Sequence, residues 1–266
     1  MDNILFISEI YIYPIKSLGG ISCQSARAEE MGFENDRRWM LIDENNQFIS
    51  QREHPILSQF QPQIADGKIE ITYQGKKHAF FISESINSRI SVTVWDDQSE
   101  VFEVNKTTSD WFSECLGFTC KLVKIIEIGD RKHKSKALNV TFNVSLADGY
   151  PYLLVGSESL DHLNEKLKDK ITVARFRPNI VINSTLAHEE DHFEIIKIGD
   201  VTFQNVKPCG RCIMVNNDPL KSIVLKEPLK TLSKYRKVDN SVLFGTNLVC
   251  IEKGIVSVGD VLSFKI

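Results

Sequence analysis

Long apolar runs are missing from the 266-residue sequence, which nowhere has 18 consecutive apolar residues, so no membrane-spanning helix is expected. The opening segment MDNILFISEIYIYPIKS lacks the basic start of a signal or transit peptide, and Ser8 and Glu9 interrupt its apolar stretch. It is typical of a first β-strand. We therefore expect a cytoplasmic protein with no membrane partner.

An excess of basic residues is also missing, because 32 Lys and Arg stand against 35 Asp and Glu, a net charge of -3. Nonspecific nucleic-acid binding depends on a basic surface whose Lys and Arg contacts release counterions. We therefore expect no general nucleic-acid partner. Hydrophobic residues at 42% and charged residues at 25% are typical of a globular protein that is long enough to bury a sizeable core.

Cysteine is scarce, with six residues, and Cys209 and Cys212 lie three positions apart in the segment KPCGRC. In a reducing compartment this spacing indicates a metal or catalytic site more than a disulfide. The neighbouring cations Lys207 and Arg211 favour the thiolate, which is the form that attacks electrophiles and binds metals. The residues alone leave three readings open: half of a zinc site, a redox pair or a structural turn.

A second metal-like segment is HEEDH at 188–192, which matches the H-E-x-x-H pattern of zinc proteases. That chemistry needs a well-formed, partly buried helix, so that two histidines one turn apart reach the same ion. Here the segment follows VINSTLA, has no apolar face and soon gives way to IIKIGD. We interpret it as a surface loop or a single short turn.

Short strands joined by turns are predicted for the first half of the chain. RRWMLID and FISQ form one predicted hairpin around ENNQ, KIEITYQGKKHAFFIS forms a second that turns at Gln74 and Gly75, and ISVTVWDD continues the series. TSDWFSECLGF predicts a helix with Ser109 or Thr108 as its cap and Gly117 as its end.

The polar and basic segment EIGDRKHKSKALN lacks periodicity and predicts a mobile loop, with a domain boundary near residue 125. Beyond it, SESLDHLNEKLKDK and EPLKTLSKYR predict helices, whereas PNIVI, DVTFQNV, NLVCIE and DVLSFKI predict strands. These patterns favour a mainly β protein with α+β character, built in two parts.

Three other stretches place cations beside turn-forming or small polar residues: YPIKS, NDRRWM and ARFRPNIV. In their order and spacing, and together with KPCGRC, they resemble the MOSC family, the C-terminal domain type of molybdenum cofactor sulfurases. YPIKS and NDRRWM match the β-barrel domain that precedes MOSC in a subfamily with bacterial reductases of N-hydroxylated bases and the mitochondrial amidoxime-reducing component. The resemblance covers nearly the whole chain and implies an N-terminal β-barrel domain at 1–125 and a MOSC β-barrel domain with a few helices at 126–266.

The resemblance also implies a molybdenum cofactor (molybdopterin), which carries molybdenum at one end and a phosphate at the other. Cys212 would be the catalytic residue and the metal ligand, with Cys209 as the fallback, and thiolate is a suitably soft ligand. Arg and Lys donors suit the anionic end. The other positions that match cofactor-binding residues of the family are Lys16, Ser17, Arg37, Asp148, Arg177 and Asn179.

Two details of the sequence qualify this match. Gly149 and Tyr150 stand where some relatives carry small hydroxyl residues, so the pterin contacts on that side depart from the family pattern. Arg38 and Arg175, next to matched positions, are expected to form structural ion pairs.

The reaction implied by the resemblance is two-electron reduction of a small N-hydroxylated substrate, with the cofactor carrying the chemistry. Electrons are expected from a separate reductase, a flavoprotein or an iron-sulfur protein, since the sequence has no further Cys cluster. The rival interpretation is a non-catalytic carrier of molybdenum cofactor or of sulfur. No sequence feature identifies a general acid, and neither His54 nor Asp218 stands out.

Overall fold

The computed structural model describes residues 4–86, 88–95, 97–126, 131–135 and 139–266. Strands dominate, which confirms the mainly β prediction. No helix in these ranges is both long and apolar enough to cross a membrane. The strands are β1 (Ile7–Ile12), β2 (Ile21–Cys23), β3 (Ser25–Glu29), β4 (Gly32–Phe33), β5 (Trp39–Ile42), β6 (Gln61–Ala65), β7 (Lys68–Tyr73), β8 (Lys76–Phe81), β9 (Arg89–Val94), β10 (Asp97–Glu103), β11 (Lys121–Ile125), β12 (Lys132–Ser135), β13 (Val140–Asn143), β14 (Tyr152–Gly156), β15 (Ile180–Ile182), β16 (Ile195–Ile198), β17 (Val201–Arg211), β18 (Asn217–Asp218), β19 (Ile223–Val224), β20 (Lys237–Val238), β21 (Ser241–Glu252), β22 (Gly254–Ser257) and β23 (Leu262–Lys265). The helices are α1 (Lys106–Leu116), α2 (Ser157–Asn164) and α3 (Leu229–Leu232).

The largest sheet has the strand order β2-β1-β15-β14-β21-β17-β16-β23, with β20 paired to β21. Its core holds apolar side chains from distant strands, such as Ile10, Leu154, Ile180, Phe203 and Leu248, all fully buried. The strands β1 and β2 therefore complete a sheet made mostly of the second half of the chain. The domain boundary near residue 125 stays a prediction, but the sheet itself runs across it.

The first half of the chain builds smaller sheets around a second core. These sheets have the orders β5-β11-β10-β9 and β6-β7-β8, and a third sheet, β22-β3-β4, again joins the two halves. Trp39, Phe60 and Phe112 are fully buried in this second core. Because apolar side chains alternate along β7 (Ile69, Ile71), one face of that strand packs inward while the other faces solvent.

Both predicted hairpins of the first half are present. In the second, β7 and β8 turn at Gln74 and Gly75, whose φ angles of 48° and 79° are those of a tight two-residue hairpin turn. In the first, the returning segment pairs with β5 only through the bridge between Ile42 and Phe48. Residues 90–94 of ISVTVWDD lie in β9 as expected, whereas Asp97 already begins β10, and residue 96 lies outside the described ranges.

The helix α1 ends at Gly117 as predicted, with φ of 77° at that residue. Its cap was predicted wrongly, because the amide oxygen of Asn105 accepts the bond from the backbone N–H of Thr108 at 2.7 Å. Thr108 and Ser109 lie inside the first turns, and both are buried. Several cap-forming residues in succession left the sequence ambiguous.

The remaining helices are shorter than predicted. α2 ends at Asn164, whose side chain both accepts from and donates to the backbone of Ile171 at 2.9 and 3.0 Å, and so fixes the following loop. α3 is a single turn.

The polar segment 127–139 was predicted to be a mobile loop. This prediction is wrong for residues 132–135, because they form β12 and pair with β13. Its residues 127–130 and 136–138 lie outside the described ranges.

Candidate functional site

A cavity of about 780 Å³ opens beside the end of β17. This volume lies in the range of small-molecule and cofactor pockets, about 300–1,000 Å³. All the residues that the sequence nominated for a cofactor site line the cavity, although they come from five separate segments: Lys16, Ser17, Arg37, Asp148, Arg177, Asn179, Cys209 and Cys212. The fold thus brings the candidates together, while their contacts with a cofactor stay predictions.

The two cysteines of KPCGRC differ in exposure. Rather than forming a turn, residues 207–211 continue β17, and its pairing with β21 shifts register between Pro208 and Gly210. Such a bulge re-aims the side chains next to it. Cys209 is half-buried and its sulfur accepts a hydrogen bond from Arg211 Nη1 at 3.1 Å, whereas Cys212 lies just beyond the strand and is exposed. Cys212 is therefore the more accessible thiol.

Arg52 is the residue of this site that the sequence did not reveal. Its Nη2 donates to Oδ2 of Asp148 at 2.9 Å, and its guanidinium lies 4.5 Å from the centroid of the Trp95 ring. Burial lowers the pKa of Arg52, but the charges of Asp148 and Cys212 outweigh this and raise it. Arg52 and the predicted ligand Cys212 line the same cavity, whereas Arg211 is directed to Cys209. The segment SQRE carries no motif that would have pointed to it.

Lys16 and Asp148 form an ion pair at the cavity wall. The Lys16 side chain is 6% exposed, and its Nζ also donates to the carbonyl of Leu146 at 2.8 Å. Burial lowers the pKa of Lys16, against the effect of Asp148. For Asp148, burial would raise the pKa, but the charges of Lys16 and Arg52 hold it well below its usual range. An anionic ligand would share both cations with this carboxylate.

Arg37 and Arg177 lie over the ring of Tyr13, with guanidinium carbons 4.4 and 4.2 Å from its centroid. Nη1 of Arg37 donates to the buried carboxylate of Asp36 at 2.7 Å, and Nη1 of Arg177 donates to the carbonyl of Leu18. Burial, together with the charge of Arg37, lowers the pKa of Arg177 to about 10. Asp36 is thus paired with Arg37, whereas Arg177 is bonded to a neutral carbonyl, which leaves local positive charge for an anion.

The side-chain amide of Asn179 forms its hydrogen bonds with other groups of the protein. Its Oδ1 accepts from Arg37 Nη1 at 2.9 Å and from the backbone N–H of Leu153 at 3.3 Å, and its Nδ2 donates to the carbonyl of Tyr11. These bonds fix the orientation of Arg37. Asn179 therefore holds Arg37 in place at the cavity, and its own contact with a cofactor stays a prediction.

Five of the residues that line the cavity adopt a left-handed backbone conformation without being glycine. The φ angles are 69° at Ser17, 49° at Arg37, 58° at Trp95, 55° at Arg177 and 50° at Asp239. Side chains with a Cβ rarely occupy this region, and such strained residues concentrate at functional sites. The cationic part of the cavity is therefore held in a conformation that local sequence preference alone would not choose.

Family models match both parts of the chain. The model described as MOSC N-terminal beta barrel domain matches residues 4–119, and the model described as MOSC domain matches residues 141–263. The chain is a MOSC-domain protein. Its cavity joins the two matched segments, because Lys16, Arg37 and Arg52 come from the first and Arg177 and Cys212 from the second.

This MOSC-domain protein is similar to proteins of two kinds, molybdenum cofactor sulfurases and mitochondrial amidoxime-reducing components. It is 29% identical to molybdenum cofactor sulfurase of Arabidopsis thaliana over 91% of the chain, but spans only 33% of that protein. It is 28% identical to mitochondrial amidoxime-reducing component 1 of Mus musculus and 27% identical to that of Homo sapiens, over 96% of the chain and 80% and 81% of those proteins. The matched region therefore makes up most of each amidoxime-reducing component but only a third of the sulfurase.

The predicted ion pairs of the MOSC-domain protein are confirmed. Arg38 Nη2 lies 2.9 Å from Glu29 Oε2, and Arg175 Nη2 lies 3.4 Å from Asp218 Oδ2. Asp218 is thus held by an arginine, and His54 packs 4.8 Å from the ring of Phe118. Neither residue lines the cavity that contains Cys212.

The segment HEEDH forms one short 3-10 turn, Glu189–His192, which confirms its interpretation as a single turn. Glu190 is fully buried, and its carboxylate accepts from Ser159 Oγ at 2.8 Å and from the backbone N–H of Gly156 at 3.1 Å. Within the described ranges, no group of three His, Cys, Asp or Glu side chains is placed to hold a metal ion. This turn is therefore structural and packs the Glu190 side chain into the interior of the protein.

Proposed function

We propose that the chain binds a molybdenum cofactor in the cavity and reduces small N-hydroxylated compounds there. The observation that carries this proposal is the meeting of an exposed thiol, Cys212, with the paired arginines Arg37 and Arg177 in one cavity. A pterin dithiolene cofactor needs a soft metal ligand at one end and cations at the other. The donor set of the cavity fits both ends.

Each residue has a defined part in this proposal. Arg37 and Arg177 would hold the anionic end, and their guanidinium groups are already oriented by Asp36, Asn179 and the Tyr13 ring. Cys212 would be the protein ligand of the metal. When bound, the cofactor supplies the two-electron redox centre at which the substrate oxygen is removed.

The overall reaction balances with two electrons and two protons. One N-hydroxylated substrate takes up two electrons and two protons, its N–O bond breaks, and one amine and one water leave. We propose that the electrons come from a separate flavoprotein or iron-sulfur protein. Reduction of a hydroxylamine by NADH and this purified chain alone would refute the need for that partner.

The test begins with elemental analysis of protein purified from a host with an intact molybdenum cofactor pathway, with zinc measured in the same run. We expect nearly one molybdenum per chain and, with a chemically reduced viologen as electron donor, turnover of hydroxylamines to amines. Zinc without molybdenum or pterin would overturn the proposal.

A second candidate function is that of a carrier that delivers molybdenum cofactor or sulfur. The likeness to a plant molybdenum cofactor sulfurase favours it, because 91% of the chain matches a region that makes up 33% of that protein. A carrier needs the same cations and a thiol. Release of cofactor to an acceptor apoenzyme, with no turnover of hydroxylamines, would identify the carrier; turnover would identify the reductase.

A further inference from the structure

A second cavity, of about 710 Å³, lies next to the first, and Arg52 and Trp95 line both. We call it the aromatic cavity, because Phe48, His54 and Phe118 contribute to its wall. It therefore adjoins the region of Cys212 without being part of the predicted cofactor site. Because the two cavities share a wall, the aromatic cavity is a candidate binding site for the part of a substrate that does not react.

Trp95 occupies an unusual position in this shared wall. Its residue surface is 46% exposed although the side chain is large and apolar, and its φ angle of 58° is in the left-handed region. A positive φ fits its place in the turn that joins β9 and β10, although a bulky residue is rare there. The Arg52 guanidinium covers part of the indole at 4.5 Å, and Phe48 packs at 5.3 Å with an interplanar angle of 59°.

The wall of the aromatic cavity contains a second pair of rings. His54 and Phe118 lie 4.8 Å apart at an angle of 37°, and both are half-buried. Aromatic pairs prefer offset or tilted arrangements at centroid distances of about 4.5–7 Å, so a flat ring in this cavity would find several favourable partners in its lining. The geometry suits a planar ligand better than a branched aliphatic one.

The charges of the aromatic cavity do not favour an anion. The positive charge of Arg52 is paired with Asp148, and two carboxylates, Asp43 and Glu53, line the wall. Asp43 accepts two backbone N–H bonds at 2.8 Å, from Asn45 and Gln47. An uncharged or weakly basic ring would meet the least repulsion.

We infer that the aromatic cavity binds the ring of an aromatic N-hydroxylated substrate, against Trp95, and that the N–OH group reaches past Arg52 toward Cys212. This inference rests on the proposed reductase function and narrows its substrate class to planar aromatic compounds. Trp95 is then the residue that separates aromatic from aliphatic substrates.

The experiment compares N-phenylhydroxylamine with N-methylhydroxylamine as substrates of the molybdenum-loaded protein, with reduced viologen as donor. We expect Trp95→Ala to lower kcat/KM about ten-fold for the phenyl compound, in line with the loss of one stacking contact, and less than about two-fold for the methyl compound. Trp95→Phe should restore most of the loss. Equal losses for both substrates, or no loss for either, would overturn the inference.

Phe81→Ala is the matched control, because Phe81 is a 51% exposed aromatic residue on β8 and lines neither cavity. It should leave both substrates unaffected. If the wild-type protein reduced neither substrate, the proposed function would fail. Calorimetry of N-phenylhydroxylamine binding without electron donor would still show whether the aromatic cavity binds the ring. Weaker binding to Trp95→Ala than to wild type would support it, and equal binding would reject it.

Discussion

Two short segments of this MOSC-domain protein carry ligand-type residues at metal-like spacing, and the fold uses them in opposite ways. KPCGRC runs along the edge of the cavity and leaves the thiol of Cys212 exposed. HEEDH turns inward: Glu190 is bonded to Ser159, Asp191 is paired with Arg236, and His188 packs 5.9 Å from the ring of Tyr235.

The difference shows that a ligand-type side chain is available only if the tertiary structure has not already given it a partner or buried it. Burial lowers the pKa of His188 to about 4, which keeps its ring neutral at ordinary pH. Cys212, by contrast, faces solvent at the cavity. Four experiments test this contrast.

The largest effect is expected for the thiol of Cys212. Cys212→Ser should lose most of the bound molybdenum, since changes that only disturb the surroundings of a ligand already cost about 10–100-fold in metal affinity. Cys209→Ser should keep most of it, because Cys209 is half-buried and bonded to Arg211. Metal content per folded protein measures both variants, and the reverse pattern would make Cys209 the ligand.

Asp191→Asn should lower the free energy of unfolding by about 3 kcal/mol, because it leaves the charge of Arg236 without its buried partner. Urea unfolding measures this loss. The molybdenum content per folded protein should not change, since the HEEDH turn is structural in this view.

Asp110→Asn is the matched control, because Asp110 pairs with Lys106 on the exposed face of α1. Exposed helical pairs of this spacing contribute only about 0.3–0.5 kcal/mol. Comparable losses in the two variants would show that the Asp191 pair has no special role in stability.

Glu190 should make the protein less stable as the pH rises. Burial raises the pKa of its carboxyl from 4.5 to about 6, so the folded state binds more protons than the unfolded state between these values. Stability is fully present below pH 4.5 and falls by about 2 kcal/mol through pH 6.

Glu190→Gln should remove this fall. The measurement is the difference in unfolding free energy between pH 4.5 and pH 7, taken for wild type and variant, so that other titrating groups cancel. An identical pH difference in the two proteins would contradict the burial argument for Glu190.

The smallest effect is expected from zinc. Because HEEDH is a closed structural turn, zinc should change the Tm of wild type and of His188→Gln by the same amount, within about 1 °C, which is well under the shift from 1 kcal/mol in a chain of this size. A zinc-dependent gain in Tm that disappears in His188→Gln would restore the metal-site reading.

Local features were predictable wherever neighbouring residues decide the outcome. The turn at Gln74 and Gly75 and the end of α1 at Gly117 depend on backbone preferences that the residues carry themselves. The strand β12 was missed because its lysine-rich sequence is stabilised by pairing with β13 and not by its own propensity. Arg52 was missed because its partners Asp148 and Trp95 are remote in the sequence.

The mainly β class, the family resemblance and the set of cations and thiols available for a site could all be derived from the residues in order. Which of these side chains meet, and which are already bonded to a partner, depends on how the chain packs. Arg37 and Asn179 bond across 142 positions, and Lys16 and Asp148 across 132. Desolvated charges must find partners wherever the fold supplies them, so their pairing follows from long-range packing, which no local pattern of residues records.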